Sequence, residues 1–450
     1  MKMLKSFYIV CVLHAALTLA IVHAQDDQSG FISIDCGIPE GSKYTDKKTG
    51  ITYVSDAGFI EGGVSGEISP EYNLGSLDLP LTTLRSFPQN TRNCYTLRPK
   101  QGKNYRYLIR LRFFYGNYDS KRQFPQFDVY LGADLWKTVY IPDPSEENFY
   151  EIIHLAASDY VHICLVNTGQ GNPFVSAIEM RLLDFTLKIP RSTSLELNDR
   201  VSFGSNERIR YRDDKYDRMW NTIDMSSSSR VLQTSNTLSQ GPLEIPSKVM
   251  STAVTPINST DPIALVWNAT ITTKFIIYVH FAEVEILNSN QTREFNIYLN
   301  DDLWYGPISP STDTDTYFST TQHTGFSSST LPPLINAMEL YRVKQFQLQQ
   351  TEDQDAAAIW SIKSTYGLKR NWQGDPCIPR ASLWDGVGCN YSDPQSAKII
   401  SLNLSSSRLS GEIATALANL TMIESLDLSY NNLTGDVPDF LARQDHLRIL

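Results

Sequence analysis

The stretch Phe127-Asp-Val-Tyr-Leu-Gly-Ala-Asp-Leu-Trp136 returns 168 positions later as Phe295-Asn-Ile-Tyr-Leu-Asn-Asp-Asp-Leu-Trp304. Such a return marks a module and a diverged second copy of it. At the same offset Tyr107, Ile109, Leu111 and Phe113 meet Phe275, Ile277, Val279 and Phe281, an alternation that reads as a strand with one buried face. Pro173-Phe-Val-Ser-Ala-Ile-Glu-Met180 corresponds to Pro333-Leu-Ile-Asn-Ala-Met-Glu-Leu340 at an offset of 160, so loop lengths differ while strand order is kept. The copies occupy residues 31–188 and 199–350. Their short runs of Tyr, Phe, Val and Ile, broken by turns such as Gly132-Ala133-Asp134 and Asn300-Asp301-Asp302, predict a mostly β chain with two tandem sandwiches. Lys188-Ile-Pro-Arg-Ser-Thr-Ser194 reads as the linker.

The first residues have the form of a secretory leader, residues 1–24: Lys2 and Lys5, an apolar run from Phe7 to Val22, and small residues before a cut after Ala24. No later apolar run is long enough to span a bilayer. The formal net charge is −10, and −12 once the leader's lysines are removed, which argues against a nucleic-acid partner. Cys36, Cys94, Cys164, Cys377 and Cys389 remain in the mature chain, an odd number in an oxidising compartment. Cys377 and Cys389 are close in sequence and are expected to pair, closing a loop worth about 3 kcal/mol on the chain-entropy model. Among the other three the sequence does not choose, and Cys164, in the apolar run Tyr160-Val-His-Ile-Cys-Leu-Val166, fits a buried small hydrophobe equally well. N-glycosylation sequons stand at Asn258, Asn268, Asn290, Asn390, Asn403, Asn419 and Asn432, all after residue 250, leaving the first copy bare.

Residues 351–397 change character. Asp355 to Tyr366 predicts a helix with Ile359, Ile362 and Tyr366 on one face and Gly367 as its stop. The segments Trp372-Gln-Gly-Asp-Pro-Cys377 and Trp384-Asp-Gly-Val-Gly-Cys389 follow, and their tryptophans are expected to cap what comes next. In residues 398–450, Ile399, Leu402, Leu404, Leu409, Gly411 and Ile413 recur at a spacing of 24 as Ile423, Leu426, Leu428, Leu433, Gly435 and Val437. This is the pattern of a leucine-rich solenoid, with a third unit beginning at Leu447.

Two modules of the Phe-Asp-Val-Tyr-Leu type, Tyr211-Arg-Asp-Asp-Lys-Tyr-Asp-Arg-Met-Trp220 opening the second, Gly374-Asp-Pro-Cys377 and the leucine-rich repeats together resemble the ectodomain of plant malectin-like, leucine-rich repeat receptor kinases. The resemblance covers nearly the whole mature chain. Arg212, Ser407 and Ala414 depart from the family pattern, whereas Asn431 and Pro438 keep it. It implies an extracellular region that senses a ligand or docks a partner: cell-wall carbohydrate, a secreted peptide or a co-receptor ectodomain. In the family a membrane span and a cytosolic serine/threonine kinase follow, and neither is in this sequence. A soluble lectin-like protein and an incomplete product of a receptor kinase gene are the alternatives.

No catalytic or cofactor constellation emerges. Gly169-Gln-Gly171 lacks the third glycine of a dinucleotide loop, there is no phosphate loop and no His-Glu-x-x-His, and Asp313-Thr-Asp315 lacks the glycine and glutamate of a calcium loop. Two binding candidates stand out. In Arg112-Phe-Phe-Tyr-Gly-Asn-Tyr-Asp119, the rings of Tyr115 and Tyr118 beside Asp119 suit a sugar, as in animal malectin, which the modules resemble. The same tyrosines can pack a sandwich rim. From Leu79 to Tyr118 there is no acid but eight basic residues: Arg85, Arg92, Arg98, Lys100, Lys103, Arg106, Arg110 and Arg112. Strand alternation points Tyr105, Tyr107, Ile109, Leu111 and Phe113 inward and places Arg106, Arg110 and Arg112 on an outer face that could meet an anionic partner or stay solvated. Trp136 and Trp304 are expected as core plugs.

Overall fold

The computed structural model describes residues 28–187, 189–258, 260–267, 272–318, 331–346 and 349–449. The expected leader and the Asn268 sequon lie outside them. The fold is mostly β. Three α-helices, Ser247–Met250, Asp353–Tyr366 and Asp439–Ala442, occur among the described residues.

The repeated sequence folds into repeated pairing. Ala177–Leu183 lies antiparallel to Arg106–Phe113 with Ile178 opposite Leu111 and Met180 opposite Ile109. Ala337–Gln345 lies against Phe275–Phe281 with Met338 opposite Val279 and Leu340 opposite Ile277, the same register at the offsets read from sequence. The hairpin Gln126–Leu131/Asp134–Tyr140 carries a bulge between Val129 and Tyr130, and Phe295–Leu299/Asp302–Ile308 carries it at Ile297 and Tyr298. An extra residue at the same place in both hairpins preserves which side chains face inward.

The chain between the copies is not a free linker over all of residues 188–194. Thr193–Phe203 is one long strand whose Leu195 and Glu196 pair with Ile153 and Ile152 of the first copy, while its whole length pairs with Ala337–Gln345 of the second. Thr193 and Ser194, counted in the linker, are therefore sheet. One 11-stranded sheet runs through both copies as a result. The Arg106 guanidinium fixes the crossing by donating to the Thr193 and Pro190 carbonyls at 3.0 and 2.9 Å.

Two large apolar clusters lie on the sheet. The first gathers Tyr107, Ile109, Leu111, Phe113, Phe127, Trp136 and Phe174. The second is built on Trp220, Phe281, Leu340 and Tyr341, and it also takes Leu108, Ile153 and Leu183 from the first copy. Trp136 is fully buried as expected, whereas Trp304 is only partly covered at the edge of the second cluster.

The C-terminal part follows its sequence closely. Gly367, at φ 56°, ends the helix Asp353–Tyr366. Ile359 and Ile362 join Trp372, Trp384, Leu402 and Leu404 in a third apolar cluster, in which the two tryptophan rings stack at 5.0 Å. Cys377 and Cys389 are bonded. Successive solenoid strands pair in parallel, Leu402 beside Leu426, and Ser425 bridges Ile449 of the third unit. Asn431 stitches the turns: its amide donates to the Leu404 and Leu428 carbonyls and its Oδ1 accepts from Ser407 and Leu409 N–H.

Cys94 and Cys164, directly opposite on neighbouring strands, form the second disulfide, and Cys36 is left free and buried. Strand pairing brought the partners together, which is why spacing alone did not choose them.

Candidate functional site

Arg110 and Arg112 do not form an open basic face. Both are fully buried. Alternation placed them correctly on the face opposite Tyr107 and Ile109, but that face is covered by the segment Ile209 to Trp220 of the second copy; Tyr105, expected inside, precedes the strand Arg106–Phe113 and is exposed. On the sheet Arg110 stands between Glu151 and Glu179, one on each flanking strand. It bonds Glu151 Oε2 at 2.7 Å, Glu179 Oε2 at 2.5 Å and the Asp217 carbonyl at 2.5 Å. Asp217 in turn accepts from Arg181 and Arg210 at 3.0 and 2.8 Å. Arg112 holds Glu147 and Asp78, each at 2.6 Å, and Arg200 holds Glu151 at 2.7 Å.

The charges fix one another's ionisation. Burial opposes ionisation of Glu151, and the Arg200 and Arg110 guanidinia overcome it, so its pKa falls below the ordinary value. Asp217 is pulled down in the same way, against burial, by Arg210, Arg181 and Arg110. Beside it, Asp214 accepts from Arg218 and from the Trp220 indole, each at 2.8 Å. The motif that opens the second copy thus works as a charged plug locking the copies together. Leu108 was the missed signal, since an apolar residue between Arg106 and Arg110 on the "outer" side already required a cover for that face.

Tyr115 is also fully buried, packed edge-on to Tyr118 at 5.5 Å, and its hydroxyl donates to Asp119 Oδ1 at 2.5 Å. Tyr118 packs on Phe174 at 5.5 Å. The sugar-facing arrangement expected of this loop is therefore replaced by rim packing: one ring is inside, the other lies on it, and the carboxylate is occupied. In the second copy Glu283 occupies the place of Tyr115 and holds Arg293 at 2.8 Å.

The described sequon asparagines, Asn258, Asn290, Asn390, Asn403, Asn419 and Asn432, are all exposed.

One place that stays open is the joint between the first copy and the tryptophan cap. The Cys94 N–H donates to Gln373 Oε1 at 2.8 Å, Lys363 Nζ meets both Glu61 oxygens at 2.7 and 2.8 Å, and Lys103 meets Asp353 at 2.6 Å. A Cβ on Gly374 would lie 2.9 Å from Cys94 Sγ, so the cap rests its backbone on the disulfide. Beside these contacts a cleft of about 390 Å³ opens between Gly58, Phe59, Glu61 and Arg98 on one side and Trp360 and Gln373 on the other. A second cleft, of about 490 Å³, lies between the copies, where Lys48 and Asp78 face Glu207, Asp213 and Lys248. Its charges are paired with one another.

The malectin-like domain model matches residues 34–343, and a leucine-rich repeat model matches residues 422–443. The chain belongs to the malectin-like family. A putative leucine-rich repeat receptor-like protein kinase of Arabidopsis thaliana is 43% identical over 431 residues, 92% of this chain and 48% of the relative. The Arabidopsis thaliana LRR receptor-like serine/threonine-protein kinase IOS1 is 40% identical over 441 residues, 93% of this chain and 48% of the relative. The malectin-like chain thus spans about half the length of the curated relatives it matches. Among solved structures, the ANX2 ectodomain of Arabidopsis thaliana aligns over 70% of this chain and 97% of its own at 18% identity and a TM-score of 0.58. A complex of the plant peptide RALF23 with FER and LLG2 aligns over 70% and 95% at 18% identity and a TM-score of 0.55. At these identities the likeness is one of fold. No helix of the described residues is long and apolar enough to cross a membrane.

Proposed function

We propose that this chain is the extracellular ligand-sensing and partner-docking region of a plant plasma-membrane receptor. One observation carries the reading: over 92% of its length it aligns at 43% identity with half of a receptor-like kinase, and its own matched families are recognition modules. The kinase of the relatives, and the phosphoryl transfer their names imply, would lie in the half without a counterpart here. Finer parts of the proposal are two tandem malectin-like sandwiches at 25–188 and 199–350, supported by their matching strand registers, then the cap at 351–397 and repeats at 398–450. A secreted peptide or a co-receptor ectodomain is the favoured partner, in line with the solved complex of a related fold with a peptide and LLG2. Carbohydrate is disfavoured because Tyr115 is buried. Glycans on the exposed sequons would coat the second copy and the solenoid, Asn403 covering the concave face beside Leu402 and Leu404, and would leave the first copy bare. The test is to immobilise the secreted chain and titrate a panel of plant secreted peptides, receptor ectodomains and wall glycans. Saturable binding of a peptide or ectodomain is expected. Binding confined to glycans would replace this reading with the lectin one.

A further inference from the structure

The eight basic residues between Leu79 and Tyr118 can be followed to their partners. Arg85 is held by Asp56, Lys103 by Asp353, and Arg110 and Arg112 by the buried network. Arg92 donates to the Gly132 carbonyl at 3.0 Å, and Arg106 to the carbonyls of the crossing. Arg98 and Lys100 remain. Both are exposed, and neither has an acidic partner among the described residues. Arg98 lines the cleft at the joint, with its guanidinium 5.8 Å from the Tyr160 ring.

The cleft's other groups narrow what it can take. Glu61 is neutralised by Lys363. The Gln373 amide is used at both ends, by Cys94 N–H and Asn371, and the Thr96 hydroxyl pairs with His162. Trp360 and Phe59 are half-buried, leaving ring surface in the cleft. One unpaired cation, apolar rings and few free hydrogen-bonding groups suit a carboxylate beside an apolar side chain. They suit a sugar poorly, because each hydroxyl drawn into the cleft would need a partner of its own.

We propose that this cleft binds an acidic peptide segment, its carboxylate on Arg98 and an adjacent aromatic or aliphatic side chain against Trp360 and Phe59. The proposal rests on the reading of the chain as a sensing ectodomain and gives that reading a site and a ligand chemistry. Seated there, the peptide would touch the first copy and the cap together, so binding would clamp the solenoid to the sandwich.

Gly58 supplies a clean block. Gly58 lines the cleft, and a Cβ added there meets nothing within 4 Å, so Gly58→Phe puts a ring at the cleft wall without a clash at Cβ. The experiment uses the secreted chain of residues 25–450 and three fluorescent probes: the octapeptide Gly-Ser-Phe-Asp-Glu-Tyr-Gly-Ser, the same peptide with Asn and Gln for its acids, and an oligogalacturonide. The acidic peptide should bind, more weakly as salt rises from about 50 to about 300 mM, and the neutral peptide should not compete. Arg98→Glu and Gly58→Phe should each weaken binding about tenfold or more, and Lys47→Glu, outside the cleft, should not. Equal binding of both peptides, no binding of the acidic one, or capture of the oligogalacturonide alone overturns the proposal. A peptide bound undiminished by both variants overturns the site while leaving the sensing reading in place. Failure of that reading would instead show as no peptide or ectodomain partner in the wider panel.

Discussion

Asp217 is fully buried and answers three guanidinia, those of Arg110, Arg181 and Arg210. Removing one member of a buried ion cluster strands the others without water, which costs about 3 to 5 kcal/mol. Asp217→Ala should therefore collapse secretion yield or lower the melting temperature sharply, and Arg110→Glu with Arg112→Glu should do the same before any effect on a ligand can be read. Full yield and unchanged melting would show that water, not Asp217, satisfies the arginines. His280 supplies a pH signature. It is fully buried, bonds Thr316 at 2.9 Å, and its pKa is pushed down to about 3 by burial and the cations Arg218 and Arg200. The folded state refuses the proton that the unfolded chain accepts below about pH 6.5, so its stability is intact above that pH and declines as pH falls. Asp35 and Asp355, raised to about 6 chiefly by burial, act in the opposite sense, gaining stability as pH falls through 6. A difference measurement isolates the histidine: His280→Gln should reduce the stability lost between pH 7 and pH 5.5 by about 1 kcal/mol in denaturant titrations. An identical slope in both proteins would mean that His280 charges freely in the fold.

At the scale of elements, the cap decides whether the solenoid has a beginning. Trp372 and Trp384 share one apolar cluster with Leu402 and Leu404, and the Cys377–Cys389 bond closes the loop that carries Trp384. Two full repeats with a third just begun bury little apolar surface without that cover. Cys377→Ser should cost about 2 to 5 kcal/mol or abolish secretion. Protease sensitivity confined to residues 351–450 would locate the loss, while wild-type resistance would show that the tryptophan stack suffices. This part of the chain was legible because its period is local: a spacing of 24 residues fixes which strands neighbour each other before any distant contact forms. The helix was legible for the same reason. Its docking on the first copy through Lys363 and Glu61 was not, since those residues are 302 positions apart.

For the molecule as a whole, sharing one strand matters more than any linker length. Thr193–Phe203 belongs to the pairing of both copies, and Leu108, Ile153 and Leu183 of the first copy sit in the second copy's core. Separating residues 25–188 from 199–350 would bare apolar surface together with unpaired buried charge. The two copies should unfold in one calorimetric transition, and residues 25–188 expressed alone should aggregate. Two well-separated transitions, or a soluble, cooperatively folded first half, would show the copies to be independent.

The sequence by itself determined the duplication, the strands and the inward faces of Tyr107, Ile109, Leu111 and Phe113, the hairpin positions, the Cys377–Cys389 bond and the period of the solenoid. Each of these is written as a period, a spacing or a repeat offset, and such signals survive without knowledge of distant contacts. Only the tertiary structure decided that Arg110 and Arg112 are interior, that Tyr115 is packed away, that Cys94 pairs with Cys164, and that Arg98 is left over beside an open cleft. Alternation tells which side of a strand a residue takes, but what covers that side comes from chain elsewhere. For Arg110 the covering residue, Asp217, lies 107 positions downstream.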